Sequence, residues 1–237
     1  MLESINLDPR DQDCEFCLEF QSKPGHTIWD LKEEITVPSL QGDLNRIFHR
    51  VNDAVIFPSL GPVVSGHALI SPIHHHTSVL GLPGELFQDV AELLKQVSGI
   101  YSAIFGNFPL LFEHGEPVGR NLDSPNCIDH AHIHVVPEPV DLIGQIEKEY
   151  PHIASMPFTA VQGAYGKGYS MVIDEGEVAH LFDTTGAPRQ YLRRVYASLV
   201  GRPENGSWTS NINLDDTFRD YLYLKKKFED FLSLPNR

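Results

Sequence analysis

Residues 129–137 read Asp-His-Ala-His-Ile-His-Val-Val-Pro, a run in which histidine occupies every second position from 130 to 134. Successive side chains of a β-strand point to opposite faces, so the three imidazoles would share one face and Ala131, Ile133 and Val135 the other. The pattern therefore predicts a strand with its apolar face on a core and its imidazoles along an open surface. Because imidazole titrates near neutral pH and serves widely in acid-base and metal chemistry, a functional role is favoured over a purely structural one.

A second informative stretch lies upstream. Residues 66–75 read Gly-His-Ala-Leu-Ile-Ser-Pro-Ile-His-His, and the apolar part of this stretch predicts a central strand. After the turn residues at 83 and 84, apolar side chains recur at helical spacing, which predicts one long amphipathic helix. In chain order, the first half is predicted to contain strands at 27–29, 35–37, 52–57, 68–70 and 110–113, with the long helix from about Pro83 to Tyr101 before the last of them.

Taken together, the two stretches resemble the histidine triad (HIT) superfamily of nucleotidyl hydrolases and transferases. Residues 130–134 match its His-x-His-x-His motif, and residues 66–75 match the Gly-His-x-Leu-Val-x-Pro-Lys-x-His segment that precedes its long helix. The resemblance covers about residues 14–140 and keeps the family's order. It implies an α+β fold, a HIT-like antiparallel sheet with a long helix packed across it, and a homodimer.

The chain continues beyond this resemblance. Its remaining patterns predict a helix at 142–150, strands at 169–173 and 178–182, and helices at 189–200 and 217–232. No linker rich in Pro, Gly or Ser separates these elements from the first part. We therefore predict a catalytic domain at 1–155 and a C-terminal α/β extension at 156–237, packed on the same core.

Bulk properties restrict the class of substrate. The chain has 237 residues, 41% of them hydrophobic, and a formal net charge of -14. Such an acidic chain is a poor electrostatic match for duplex nucleic acid, which favours a small nucleotide held by a local site. The sequence shows neither an apolar stretch that could span a membrane nor the pattern of a signal peptide, so a cytoplasmic location with no membrane partner is expected.

The resemblance also assigns catalytic roles. An imidazole that attacks phosphorus needs a neutral nitrogen, a neighbour that fixes its tautomer and donors for the phosphoryl oxygens. By resemblance, His132 is the nucleophile that forms a nucleotidyl-histidine intermediate, and His134 is a partner that contacts the phosphate. Alternation alone favours the central histidine only weakly, so this assignment depends on the family match.

A metal site is implied near the N-terminus. The count of three cysteines is odd, and in a cytoplasmic protein the pair Cys14 and Cys17 favours metal-binding or redox chemistry over a structural disulfide. In several HIT members such a pair binds structural zinc together with two histidines, which correspond here to His75 and His130. His74 or His76 could replace His75, and the alternative for the cysteines is a reduced pair in a loop.

Substrate contacts are implied at five further positions. Ser59 stands where many members have an aspartate that holds the ribose hydroxyls, and a serine cannot make that charged, two-pronged contact. Glu113 stands where a phosphate-binding asparagine is common, and it could instead orient another group or end a strand in solvent. The predicted substrate-binding residues are Phe57, Ser59, Glu113, Asn126 and Cys127.

Other interpretations of the sequence stay open. Arg189, Arg193 and Arg194 could clamp phosphate from the extension, or they could lie on a solvated helix face. In place of covalent catalysis, the three triad histidines could bind one catalytic zinc that activates water. A third alternative is a nonenzymatic protein that binds nucleotides. In that case nucleotide would bind without forming a phosphoramidate on His132.

Overall fold

The computed structural model describes residues 14–20, 45–116, 130–208 and 212–234. Its strands are β1 (His49–Val51), β2 (Ala54–Pro58), β3 (Ala68–Pro72), β4 (Leu110–Gly115), β5 (Ile133–Val136), β6 (His152–Pro157), β7 (Tyr169–Ile173) and β8 (Val178–Asp183). Its helices are α1 (Glu15–Phe20), α2 (Gly84–Phe105), α3 (Leu142–Ile146), α4 (Tyr191–Leu199) and α5 (Leu214–Leu232). Short 3₁₀ turns lie at Phe158–Ala160 and Pro203–Gly206.

The described strands form one eight-stranded sheet in the order β1-β2-β3-β5-β4-β7-β8-β6. Every described pair is antiparallel. The strand that ends the histidine run, β5, lies between β3 and β4, with His134 opposite Leu69 on one side and Phe112 on the other. Of the three histidines, His134 is thus held between two neighbouring strands, whereas His130 and His132 lie just before the first residue of β5.

The downstream part of the chain extends this sheet. Strand β7 pairs with β4, and β8 pairs with both β7 and β6. The predicted boundary between residues 155 and 156 therefore falls inside β6. Apolar residues from both sides of that boundary, such as Ile133 on β5 and Met171 on β7, belong to one buried cluster.

Helix α2 packs across one face of the sheet, because its apolar stripe supplies a continuous surface for the strands. Val90, Leu94 and Val97 of α2 are buried in the same cluster as Ile70 and Val135. The helix ends at Gly106, which adopts the left-handed conformation (φ 82°) and donates its N–H to the carbonyl of Ser102. The predicted α+β class, an antiparallel sheet with a long helix across it, is confirmed.

The opposite face of the sheet is covered as well. Phe112, Val172 and Phe182 pack there against Leu192 and Tyr196 of α4. This is the face that carries the imidazoles, and His130, His132 and His134 are only 1%, 6% and 6% exposed. The prediction that they line an open surface is wrong, because α1 and the C-terminal extension cover that side of the strand.

Most predicted elements of the described chain are present with shifted ends, such as α5, which begins three residues before its predicted start. Helix α3 is shorter than predicted, and α1, β1 and β6 were not predicted. The predicted strands at 27–29 and 35–37 lie outside the described residues. Among the described helices, none combines the length and the apolarity needed to cross a membrane.

Candidate active site

His132 is held with one ring nitrogen fixed and the other available. Its Nδ1 lies 2.7 Å from the carbonyl oxygen of His130, so Nδ1 carries the proton and donates it to that carbonyl. The Nε2 atom is left with a lone pair. Burial lowers the pKa of His132 to about 4, so the ring is neutral at pH 7. A neutral, oriented imidazole nitrogen is what an attack on phosphorus requires.

The protonation of His134 is set by a chain of hydrogen bonds that starts at the backbone. The Val63 N–H donates to Nδ1 of His67 (3.2 Å), so the proton of His67 lies on Nε2. That Nε2–H points at Nδ1 of His134, 2.9 Å away. His134 must then carry its own proton on Nε2, as a hydrogen-bond donor. Burial lowers the pKa of both rings well below the usual value, so the chain is neutral.

The ring of His134 is also fixed by stacking. Phe112 lies parallel to it, with ring centroids 4.6 Å apart and an interplanar angle of 16°. Phe16 of α1 meets the ring of His132 edge-on at 5.6 Å. These contacts restrict both imidazoles to one orientation, which lowers the entropy lost when a substrate is positioned.

A narrow cavity of about 20 Å³ adjoins the two histidines, so a ligand much larger than a water molecule enters only if its walls move apart. Its lining combines residues of the catalytic part with two from the extension: Phe16, Arg46, Ser59, Leu60, Leu69, His132, His134, Arg193 and Trp208. A larger cavity of about 440 Å³ lies at the other end of the strands, beside Pro109, Val140 and Asp174. The larger cavity contains none of the triad histidines, so the smaller cavity, which His132 and His134 line, is the candidate site.

The two arginines of the cavity wall are held differently. The guanidinium of Arg46 donates from Nε (2.8 Å) and Nη2 (2.5 Å) to the carboxylate of Glu19, and both side chains are buried. The guanidinium of Arg193, 2% exposed, donates to the hydroxyl of Ser59 (3.3 Å) and to two backbone carbonyls. The positive charge of Arg193 contributes, after burial, to the lowered pKa of His67.

Residues 59–66, the loop between β2 and β3, are fastened by the extension. This loop supplies Ser59 and leads directly into His67. Its hydrogen bonds to the extension involve Arg193, Arg202, Asn205, Asn213, Thr217 and Asp220. Asp220 of α5, for example, accepts from the Ser65 hydroxyl (2.8 Å) and from the Gly66 N–H (2.9 Å). The extension therefore helps to build the site.

Beside the triad, Cys14, Cys17, His75 and His130 place one ligand atom each within 4.8 Å of one another and could hold a metal ion. The Nδ1 of His130 lies 3.3 Å from the Cys14 sulfur, and that of His75 lies 3.5 Å from the Cys17 sulfur. A tetrahedral zinc site, with bonds of about 2.3 Å to sulfur and about 2.0 Å to nitrogen, separates such atoms by about 3.6 Å. The spacing therefore fits.

The chemistry of these four residues also fits a metal. Hydrogen bonding with Cys17, and then with His130 and His75, lowers the pKa of the Cys14 thiol to about 2 despite its burial. His130 donates its Nε2–H to the Pro72 carbonyl (2.9 Å), which leaves Nδ1 as the lone pair that faces the cysteines. His74 lies apart, near Asp53, and is exposed.

This arrangement bears on the alternative of one catalytic zinc held by three triad histidines. Only His130 of the triad belongs to the ligand group of the described residues. The Nδ1 atoms of His132 and His134 are engaged by a backbone carbonyl and by His67. The three rings therefore point to different partners, and the geometry does not favour a shared ion.

The structure brings some predicted substrate residues to the site and not others. Ser59 lines the cavity, whereas Phe57 packs behind it against Phe16 (5.1 Å between centroids). Glu113 is fully buried on the other face of β4, where its carboxylate accepts from the Val79 N–H (2.8 Å) and the Tyr169 hydroxyl (2.5 Å). Its predicted contact with substrate is therefore not supported, because alternation along β4 turns it away from the histidines. Asn126 and Cys127 lie outside the described residues.

The buried position of Glu113 predicts a pH-dependent stability. Burial raises its pKa to about 8, from an ordinary value of 4.5. The folded state thus holds the proton more tightly than the unfolded state, and stability present below about pH 4.5 is lost as the pH rises through about 8. We expect Glu113→Gln to remove this loss, on the order of a few kcal/mol, since glutamine can still accept from Val79.

The measurement is urea unfolding of both proteins at pH 5.5, 7 and 8.5. The difference between them isolates Glu113, because all other titrating groups are shared. The glutamine Nε2 would donate to Tyr169, whose hydroxyl can turn to Ser78 at 3.0 Å. Parallel pH profiles for the two proteins would contradict the raised pKa. Glu113→Ala should lower stability at pH 5.5 because it removes both hydrogen bonds, and this difference from the wild type should shrink toward pH 8.5.

Three residues of the site carried no firm prediction. His67 lies inside the upstream motif, and its place in the Gly-His pair of that motif could have indicated a role for this histidine. Arg193 was one of three candidate arginines, but only it is buried at the cavity, while Arg189 and Arg194 are exposed. Trp208 had no sequence signal, since its place depends on how the extension folds back.

The chain is similar to one protein family and to two known proteins. The sequence model of a family described as "Protein similar to CwfJ C-terminal" matches residues 4–150, more than half of the chain. Adenosine 5'-monophosphoramidase HNT1 of Candida albicans is 24% identical over 94 residues, 37% of this chain and 58% of that enzyme. The chain thus covers less than two thirds of this relative. A HIT-like protein of Bartonella henselae, described as involved in cell-cycle regulation, has a TM-score of 0.34 and 16% identity over 40% of this chain and 68% of that chain.

Proposed function

Because the chain belongs to the family similar to the CwfJ C-terminal region, within the HIT superfamily, we propose that it is a nucleotidyl hydrolase or transferase acting through His132. The observation that carries this proposal is the pair of fixed tautomers. His132 offers an Nε2 lone pair while His134, two residues along the same face, offers an Nε2–H. A nucleophile and a donor side by side suit attack on a phosphoryl group.

The proposed reaction has two steps. In the first, Nε2 of His132 attacks the α-phosphorus of a nucleotide conjugate, and the bond from phosphorus to the leaving group breaks as the nitrogen–phosphorus bond forms. The Nε2–H of His134 donates to a phosphoryl oxygen and stabilises its charge. In the second step, water or another acceptor attacks the same phosphorus and releases His132. The acceptor decides whether the reaction is hydrolysis or transfer.

The side chains around the histidines support this chemistry. The carbonyl of His130 stabilises the positive charge that develops on the His132 ring during attack, since Nδ1–H donates to it. The edge of Phe16 and the side chain of Leu69 form an apolar part of the cavity wall beside the histidines, which would limit the access of water to a bound substrate. A small nucleotide fits the proposal, and the activity for which the similar enzyme HNT1 is named makes nucleoside phosphoramidates the first substrates to test.

We also propose that Cys14, Cys17, His75 and His130 hold a structural zinc ion. Two thiolates and two imidazoles form a closed tetrahedral set, with no position left for a water molecule. When bound, the ion would tie α1 to the residue whose carbonyl orients His132. The homodimer and the cytoplasmic location implied earlier stay predictions.

The test of this function is to trap the intermediate. The full chain is incubated briefly with each of a panel of donors: adenosine 5′-phosphoramidate, dinucleoside polyphosphates and nucleotide sugars. The reaction is quenched at alkaline pH, and the mass of the intact protein is measured by mass spectrometry. We expect a nucleotidyl mass that fragmentation assigns to His132. The control His152→Asn replaces an exposed histidine of β6 and should give the same adduct. Nucleotide binding without adduct or turnover would instead favour a nonenzymatic nucleotide-binding protein.

A further inference from the structure

A serine, a histidine and an aspartate form a hydrogen-bonded chain around β6 and β8, away from the histidine triad. The Nδ1 of His180 lies 2.9 Å from the hydroxyl of Ser155, and its Nε2 lies 3.0 Å from Oδ2 of Asp174. The other carboxylate oxygen, Oδ1, accepts from the N–H groups of Gly176 (2.9 Å) and Val178 (3.0 Å). Asp174 is thus fixed by the turn between β7 and β8, and it fixes the ring of His180 in turn.

The protons of this chain have one arrangement when His180 is neutral. A carboxylate only accepts, so the Nε2 of His180 carries the ring proton and its Nδ1 is a lone pair that accepts from the Ser155 hydroxyl. Burial acts to raise the pKa of Asp174, but hydrogen bonds from His180 and from two backbone N–H groups outweigh it and lower the pKa. A nucleophile, a base and a group that orients the base are therefore in contact.

A second imidazole contacts the same hydroxyl. The Nε2 of His152 lies 2.9 Å from the Ser155 oxygen. Because the hydroxyl proton of Ser155 is given to His180, His152 can only donate to that oxygen. Among the described residues, no carboxylate orients the exposed ring of His152, whereas Asp174 orients that of His180. The base of this chain is therefore His180.

The strand register turns the Ser155 backbone toward the open edge of the sheet. The Phe158 N–H donates to the Glu177 carbonyl, and hydrogen-bonded and non-hydrogen-bonded pairs alternate along an antiparallel ladder. The pair Ser155–His180, three positions further along, is therefore non-hydrogen-bonded. The Ser155 N–H points away from β8, and no described strand lies beyond β6. This N–H can donate to the oxyanion that forms when the neighbouring hydroxyl attacks a carbonyl.

The larger cavity, of about 440 Å³, adjoins this chain. Asp174 both lines the cavity and holds His180. Val172 of the wall lies opposite His180 in the sheet, as His180 lies opposite Ser155. Opposite residues of an antiparallel pair point to the same face, so these three side chains form a row. Ser155 and Val172 are two strands apart, roughly 10 Å between backbones, a span that an octanoyl chain covers.

The wall of the cavity indicates which kind of group it holds. Its described apolar side chains include Phe108, Pro109, Leu110, Val140 and Ile143. The charged residues described in the wall are all acidic: Asp141, Asp174 and Glu175. Apolar side chains favour an apolar group, and carboxylates repel a phosphate. The cavity therefore suits the acyl group of a neutral ester and not a nucleotide.

We propose that Ser155 and His180, with Asp174 as the positioning residue, form a second catalytic site that hydrolyses neutral carboxylic esters whose apolar acyl group lies in the larger cavity. The Oγ of Ser155 attacks the carbonyl carbon and gives its proton to Nδ1 of His180. The bond from that carbon to the alcohol oxygen breaks, and the alcohol leaves with the proton. Water then attacks the acyl-serine, again through His180, and releases the carboxylic acid and free Ser155.

The test uses the full-length His132→Asn variant, so that the nucleophile proposed for nucleotides does not contribute. The protein is incubated with p-nitrophenyl octanoate or p-nitrophenyl acetate, and separately with a fluorophosphonate probe, which labels serines activated by a base. We expect a label on Ser155 and a kcat/KM at least about 10-fold higher for the octanoyl ester. Absence of the label would overturn the site. Equal kcat/KM for the two esters would exclude the larger cavity as the acyl site.

Matched variants of the two nucleophile contacts follow. Ser155→Ala should remove the label and lower ester hydrolysis by on the order of 10²-fold. Ser233→Ala, which replaces an exposed serine bonded to a backbone carbonyl, should change neither. His180→Asn should slow labelling by about 10²-fold, whereas His152→Asn should leave it unchanged. Equal ester hydrolysis by the two serine variants, or equal labelling of the two histidine variants, would contradict the proposal.

Asp174→Asn tests the positioning role. Asparagine keeps an oxygen that accepts from Gly176 and Val178, but it presents an N–H to Nε2 of His180. The ring proton then moves to Nδ1, and the lone pair that faces Ser155 is lost. We expect kcat to fall by about 10²-fold or more with KM unchanged. A fall in the melting temperature without this change in kcat would show a structural role only and would overturn the positioning role.

Discussion

His132→Asn should lower kcat with a nucleoside phosphoramidate by on the order of 10⁴-fold or more, because the atom that forms the bond to phosphorus is removed. Asparagine is smaller and polar, and it retains an N–H that can donate to the His130 carbonyl. The fold should therefore survive, which circular dichroism and a thermal melt would check. Steady-state kinetics with the most reactive donor from the trapping experiment measure the loss.

Two further variants test whether the loss of activity is specific to the nucleophile. His134→Gln should lower kcat by about 10²- to 10³-fold, a smaller effect, because His134 supplies a hydrogen bond and not the nucleophile. His152→Asn should leave kcat unchanged, since that residue is exposed on β6. If His132→Asn and His134→Gln lost activity equally and no adduct formed on the wild-type protein, covalent catalysis through His132 would be wrong.

Local patterns were sufficient for the elements that carry the triad. Alternation predicted a strand through the histidine run, of which the structure has the part from Ile133 that carries His134, with His130 and His132 before it. The apolar spacing of α2 predicted the helix behind it, because each element buries one face and repeats with one period. Strand β1 has three residues, and β6 has no fully buried residue and ends at Pro157. Neither has a buried face long enough to produce a pattern, so both were missed.

The residues of the site also fall into those that local patterns predict and those that they do not. The metal-ligand group and the two reactive histidines follow from short spacings and the family resemblance. Arg193 meets Ser59 across 134 residues of sequence, a contact that depends on β7 pairing with β4 and on α4 covering the histidine face. No local period encodes such a contact. The error at Glu113 is different, since alternation from Phe112 would already have placed it on the other face of β4.

The second large effect concerns the metal. We expect His75→Asn to lose the zinc ion proposed above and to lower the melting temperature by about 10 °C, because a structural zinc would contribute folding free energy directly. His74→Asn is the matched control, since its side chain is exposed and lies outside the four-ligand group. Metal content by mass spectrometry and thermal unfolding with and without a chelator are the measurements. Equal zinc content in the two variants would contradict the assignment of His75.

The same proteins distinguish a structural ion from a catalytic one. The atoms proposed to react, Nε2 of His132 and Nε2–H of His134, belong to side chains outside the ligand group. Chelator-treated protein kept below its lowered melting temperature should therefore still form the adduct on His132. Any decrease in the rate would come from a shift of the His130 carbonyl, which orients the His132 ring. A catalytic ion that activates water would give a different result: no adduct would form on His132 with or without chelator, and chelation would abolish turnover at every temperature while the fold persists.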